Sequence, residues 1–284
     1  MAARPVAVDL NVDAALVLRS LVGIDSYPAV LALRPNIFDP HDQERVRGVV
    51  LERLAHERIV EGGRVQPTVA RWLRCLGRPD IELAGEIFDA EPGRPEPIDH
   101  LQMSLVRAGD THVLAIRHDD QLVIQQLFTG DWPLKTAAAA LRAALGPRPP
   151  LRFDPLVAPA DELTDVPVDS PAQARRAYLR LGATRQTASA LAALRCEVTR
   201  WAGIMMVEHH DGSSTQSAGW AGVFDAPTGR AVMAPTIGVD GQVWSTYAPG
   251  DDSAIERALG SLVESLPSGS WTTTRRADAR GTNT

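Results

Sequence analysis

Glu208, His209, His210 and Asp211 stand together in the stretch MMVEHHDG. Two adjacent histidines between two carboxylates are the residue types of a zinc centre or a general acid–base pair. Their spacing argues against both. The stretch reads as the end of a strand, in which successive side chains point to opposite faces. Glu208 and His210 then share one face and His209 takes the other, so three ligands do not converge. The other histidines, at 41, 56, 100, 112 and 118, form neither H-x-H nor H-E-x-x-H. The reading is a solvated hairpin rim. The segment Pro267–Trp271, PSGSW, follows a helical pattern, whereas a nucleophile elbow needs a strand before its serine. LGATRQT and GWAG carry glycines without a strand–loop–helix phosphate cradle, and Lys135, the single lysine, lies in neither. The carboxylates fall on turns and caps, leaving no glycosidase pair to nominate. A hydrolase would need His100, His112 or His210 to meet a serine and a carboxylate, which the sequence neither shows nor forbids. Cys75 and Cys196 are far apart, without zinc spacing, as suits a reducing compartment. The expectation is a protein that is not an enzyme, with no metal and no cofactor.

The 284 residues carry a formal charge of −6. That balance disfavours nucleic acid, which needs a basic face. No run of about 18 apolar residues is present, so no membrane insertion is expected. The N-terminus MAARPVAVDLNVD is interrupted by Asp9 and Asp13 before a signal-peptide core forms, and a cytoplasmic location follows as the expectation.

The elements that would position any site read as two similar series. A helix is expected over Val12–Val22, capped by Asp9 or Asn11. YPAVLAL is a short extended piece between prolines. Asp39 and Pro40 start a second helix with Val46, Val49, Val50 and Leu54 inward, stopped by Glu61-Gly62-Gly63. A third begins near Pro67 with Val69, Trp72, Leu73 and Leu76. The period then changes to two: IELAGEIF, LQMSLVR, THVLAIR and QLVIQQLF read as strands. A helix capped by Asp131 ends at Gly146. The second series opens with the capping box Ser170–Gln173, continues with helices to about Leu181 and from Thr184 to Arg195, then strands at Trp201–His209, Gln216–Phe224, Arg230–Ala234 and Val243–Tyr247. A final helix follows Asp251 or Asp252, with Ile255, Leu259, Leu262 and Leu266 on one stripe.

This order predicts an α+β fold of two quasi-symmetric halves, each a helix pair, an antiparallel β-meander and a closing helix, around a central sheet. The expected division is an N-terminal half 1–146, a proline-rich connection 147–169, a C-terminal half 170–267 and a disordered tail 268–284.

AGIMMV is apolar on both faces, with Ile204 and Met206 on one and Met205 and Val207 on the other. Such a strand must be central and covered twice, by helices or by a partner. Methionines and aromatics suit a surface that repacks around a partner. The partner-binding residues nominated on this pattern are Ile98, Leu101 and Met103 near the loop 91–99, and Met206, Trp220 and Met233 on the second meander. The alternative is a non-catalytic α+β module that holds a small apolar ligand between its halves.

The C-terminal string from Gly219 to Trp271, with its DAPTGR turn, its DG-x-W strand and its APG before the last helix, resembles the EspG family of type VII (ESX) secretion chaperones. LRSLVGIDSYPAVLAL and LRFDPLVAPADEL resemble the family as well, and the likeness runs from about residue 8 to 271. It implies a cytosolic chaperone, needing no metal or cofactor, that binds the PPE subunit of a PE–PPE heterodimer at its hydrophobic tip. The pair would be kept soluble and directed to its cognate ESX machine. The implied contact surface is the central sheet and the C-terminal helical bundle. A homodimer of the free protein is compatible with the likeness.

Overall fold

The structure is a computed structural model that describes residues 6–91, 94, 96–127 and 133–276. The chain begins with β1 (Ala7–Asn11), α1 (Val12–Val22), a 3-10 turn (Ala29–Leu31), α2 (Pro40–His56), the hairpin β2 (Val60–Glu61) and β3 (Arg64–Val65), and α3 (Pro67–Gly77). A meander of β4 (Ile81–Asp89), β5 (Asp99–Ala108), β6 (Thr111–His118) and β7 (Gln121–Leu127) leads to α4 (Pro133–Leu145). Then come β8 (Leu156–Pro159), α5 (Ala160–Thr164), α6 (Pro171–Arg180) and α7 (Arg185–Cys196). A second meander follows: β9 (Arg200–His210), β10 (Ser213–Gln216), β11 (Ala221–Ala226), β12 (Gly229–Ile237) and β13 (Val243–Pro249), closed by α8 (Asp252–Glu264).

The helices start where short polar side chains replace missing backbone partners. Asn11 accepts from the Ala14 N–H at 2.9 Å, Ser170 from Gln173 at 3.4 Å, Thr184 from Thr187 at 3.1 Å and Asp251 from Ala254 at 2.7 Å. Asp39 accepts from both His41 and Asp42, ahead of Pro40 at the first helical position.

Apart from the β2–β3 hairpin, the strands make one sheet of eleven in the order β1-β7-β6-β5-β4-β9-β11-β12-β13-β8, with β10 folded back on β9. Neighbouring strands in that order run antiparallel, and the two series meet at β4 and β9, paired from Ile81↔Glu208 to Asp89↔Arg200. The two faces of this sheet are covered differently. On one, α4 and α8 lie across the middle and bury Leu83, Met103, Ile204, Met206 and Val223. On the other, α1–α3 pack over the outer strands of the first series, around Trp72, Val106 and Ile124. The helices α5–α7 do the same over the second, around Tyr178, Met233 and Tyr247. Between these two groups the middle of the sheet is open.

Several expectations are corrected. YPAVLAL is not extended: Ala29–Leu31 is a 3-10 turn closed by Ala32 at φ 46°. The second helix stops at His56, and Gly62 and Gly63, both at positive φ, turn the β2–β3 hairpin instead. Val49 is exposed rather than inward. Gln216–Phe224 is two strands, broken where the Ser217 hydroxyl donates to the Gly219 carbonyl. Residues 147–169 are more than a connection. They supply β8, the sheet edge paired with β13, and α5. The end of the chain is ordered at least to residue 276. The guanidinium of Arg107 donates to the carbonyls of Trp271 and Thr274, each at 2.6 Å, and Trp271 is buried. Asp131, part of the loop 91–99 and residues 277–284 lie outside the described residues.

An open cleft over the central strands

The open middle of the sheet forms a cleft of about 910 Å³. Its floor is one face of β4 and β9: Ala84, Glu86, Gly203, Met205 and Val207. One wall is the segment 25–32, and the other carries Trp220. The first wall is pinned to α1 and to the sheet. Tyr27 donates its hydroxyl to the Ala15 carbonyl at 2.7 Å, and Gln102 donates to Val30 at 2.7 Å. Arg117 donates to the carbonyls of Leu31 and Ala32, each at 2.8 Å. Burial raises the Tyr27 phenol well above its ordinary range, against a smaller opposing effect of the Arg19 cation, so the hydroxyl remains a donor.

Alternation along the strands decides which nominated residues reach this cleft. Met206 is 0% exposed and Met103 is 0% exposed, both inside the layer under α4 and α8. Met233 is 6% exposed and packs under α5–α7. These three are core, because their faces are the ones the helices cover, and they offer a partner no surface. Leu101 is partly buried against the α4–α8 layer. Ile98 is exposed where β5 begins, and Trp220 is 41% exposed on the cleft. The strand AGIMMV is central, as its apolar faces require, but only its Ile204–Met206 face is roofed. Met205 and Val207, one residue away in register, carry the open face. The glycine in that strand was a signal: Gly203 shares their face, and a glycine in a strand interior marks close approach by another group.

That approach is made by rings. A β-carbon on Gly222, the register partner of Gly203, would stand 2.6 Å from the Phe224 ring and 2.9 Å from the Trp220 ring. The two rings therefore lie down on bare backbone, edge to face at 6.2 Å. Beside them Trp201, Phe88 and His100 stack in a row, with centroids 4.3 and 4.2 Å apart. The carboxylates of the lining outnumber its arginine: Asp25, Glu82 and Glu86 against Arg276.

The histidine cluster takes structural parts. His210 pairs with Glu208 at 3.4 Å, and Glu208 accepts the Ser268 N–H at 3.0 Å. His209 turns to the cleft side and meets Glu82 at 3.3 Å. Glu82 also accepts from the buried Ser104 hydroxyl at 2.8 Å. The carboxylate thus sits between serine and histidine, whereas a nucleophilic triad needs histidine in the middle to take the serine proton. Among the described residues no group of three or more His, Cys, Asp or Glu is placed to hold a metal ion. Burial pushes the Cys75 thiol up to about 12, so it is no nucleophile at neutral pH.

A sheet roofed across its middle on one face and only at its flanks on the other defines a scaffold with a recessed cleft. The comparisons give that scaffold a family. The model described as EspG family matches residues 11–261, and the chain belongs to the EspG family. It is 32% identical over 272 residues to the ESX-1 secretion-associated protein EspG1 of Mycobacterium tuberculosis (strain ATCC 25618 / H37Rv), covering 94% of this chain and 89% of that protein. It is 29% identical over 272 residues to the ESX-3 secretion-associated protein EspG3 of Mycolicibacterium smegmatis, with 94% and 89% covered. Among solved structures, the Mycobacterium tuberculosis type VII secretion system chaperone EspG5, in complex with the PE25–PPE41 dimer, matches with a TM-score of 0.79 at 18% identity, covering 94% of this chain and 99% of that one. The likeness carries the α+β fold.

Proposed function

We propose that this chain is a non-catalytic, cytoplasmic chaperone of a type VII (ESX) secretion system that binds a PE–PPE heterodimer through its PPE subunit. It keeps the pair soluble and directs it to its cognate system. The observation that carries the reading is the unroofed apolar floor over the middle strands, in a family whose solved relative EspG5 is a chaperone in complex with a PE–PPE dimer. Met205, Val207 and Trp220 are the apolar groups that receive the client's tip, with Ile98 as an outlying contact; Leu101 faces the α4–α8 layer on the other side of the sheet. Covering apolar surface on a client is favourable by roughly 25 cal/mol per Å², and an uncovered tip is an aggregation hazard.

The test is co-expression with candidate PE–PPE pairs followed by size-exclusion chromatography. Wild type elutes as a complex with its cognate pair; Met205→Asp elutes alone, with an unchanged melting curve. A variant that still co-elutes removes the cleft from the reading. The cleft's volume also suits a small apolar ligand held between the halves. Native mass spectrometry of protein from its own host separates the two, because a bound metabolite in place of a helical heterodimer favours the ligand.

A further inference from the structure

Apolar packing alone does not discriminate well between partners, and the cleft has one place built for something else. Glu86 lies on the floor with its side chain 46% exposed and meets His100 on one side at 3.1 Å. Across the ladder its register partner is Gly203, which has no side chain. Over Gly203 come the edges of two indoles. The Trp201 and Trp220 rings stand 3.6 and 3.9 Å from where a β-carbon there would be. A half-exposed carboxylate therefore borders a strip of backbone covered by the edges of two rings, one of them 41% exposed. The lining arginine, Arg276, is engaged at the other end of the cleft, where its Nε donates to Asp211 at 3.0 Å just past the end of β9. Seven residues of strand separate that end from Gly203, roughly 20 Å. Among the described lining residues no arginine or lysine stands at the Glu86 end.

We propose that Glu86, Trp201 and Trp220 form a subsite for an arginine side chain of the docked partner. The inference rests on the cleft being the client's docking surface. A guanidinium is flat, stacks on an indole face and presents paired N–H groups to a carboxylate; an ammonium does only part of this. The partner's tip then carries an arginine beside its apolar residues, and a tip with an acidic residue there is rejected by Glu86.

The probe is N-acetyl-leucyl-arginine amide, with the citrulline peptide as its uncharged isostere, titrated into the full chain while the indole N–H signals of Trp201 and Trp220 are followed by NMR. The arginine peptide shifts both signals and binds about tenfold more tightly than the citrulline peptide. The preference falls to about one in Glu86→Gln. Trp220→Leu, at an exposed ring, is the second variant and loses it as well. Equal affinity for the two peptides, no shift with either, or an unchanged preference in Glu86→Gln overturns the proposal. Failure of the docking reading shows separately. If Met205→Asp still co-elutes with the PE–PPE pair, the surface itself is wrong. If it does not, yet the peptides are not distinguished, only the arginine subsite falls.

Discussion

Met205 and Met206 are neighbours with opposite fates, and that contrast is the sharpest lesson at the scale of single residues. Met206→Asp places a carboxylate in a fully buried site under α8. Deleting such a side chain alone costs about 2–5 kcal/mol, and an unpaired buried charge adds to it. Urea titration of Met206→Asp should show loss of the native state or a midpoint far below wild type; a wild-type midpoint would mean the core is misassigned. Composition could nominate this strand, because both its faces are apolar. It could not choose the face, since the choice depends on where helices from distant parts of the chain come to rest. Trp220 and Ile98 carried the same nomination as Met103, Met206 and Met233, and only their exposure in the fold separates them; Glu86 gave no sign of itself, being one carboxylate among many in the sequence. His112 is a second residue whose role lies in the tertiary structure. Its Nε2 accepts the indole N–H of Trp271 at 3.2 Å, which requires a neutral ring. Burial, and then the Arg107 cation, lower its affinity for a proton. With the folded value depressed, the unfolded chain binds the proton first. The stabilisation is therefore full above about pH 6.5, the unfolded value, and is lost as pH falls below it toward the folded one. Thermal melts from pH 8 to 5 should show stability declining below about 6.5, with part of that slope absent in His112→Gln. Identical slopes in the two proteins would remove His112 from the account.

Among the elements, helices and long strands were readable because each carries its own period and punctuation: Asn11, Asp39, Ser170, Thr184 and Asp251 are caps in the structure. The short edges were not. β1 and β8, with five and four residues, are too brief to show alternation, and β8 ends at a proline. The segment after α8 is the extreme case, since PSGSWTTTRR has no period and owes its order to groups far away in sequence. Asp80 accepts from the Gly109 and Arg276 N–H groups, each at 2.9 Å, and from Arg107 at 3.1 Å. The Arg107 and Asp80 side chains are 2% and 10% exposed. Removing one partner of a buried pair costs about 3–5 kcal/mol. Asp80→Asn should lower stability by about that much and open the end of the chain to trypsin at Arg275 and Arg276. Wild-type resistance in the variant would show that the segment is held by something else.

At the scale of the whole molecule, the sequence suggested two series of elements, and the strands of both series lie in one sheet. β4 and β9 are paired along nine residues, and α4 and α8 contribute to one core beneath both. The halves should therefore unfold together. Calorimetry should give one transition with matching calorimetric and van't Hoff enthalpies, and two resolved transitions would contradict a shared core. The same arrangement leaves the middle of the sheet open on one side, and the functional claim rests on that asymmetry. Its most direct test is methyl NMR of the chain's five methionines with and without the cognate PE–PPE dimer. The account predicts that the Met205 methyl signal shifts on binding while those of Met103 and Met206 hold their positions. A complex that forms with the Met205 signal unmoved would place the client on another surface.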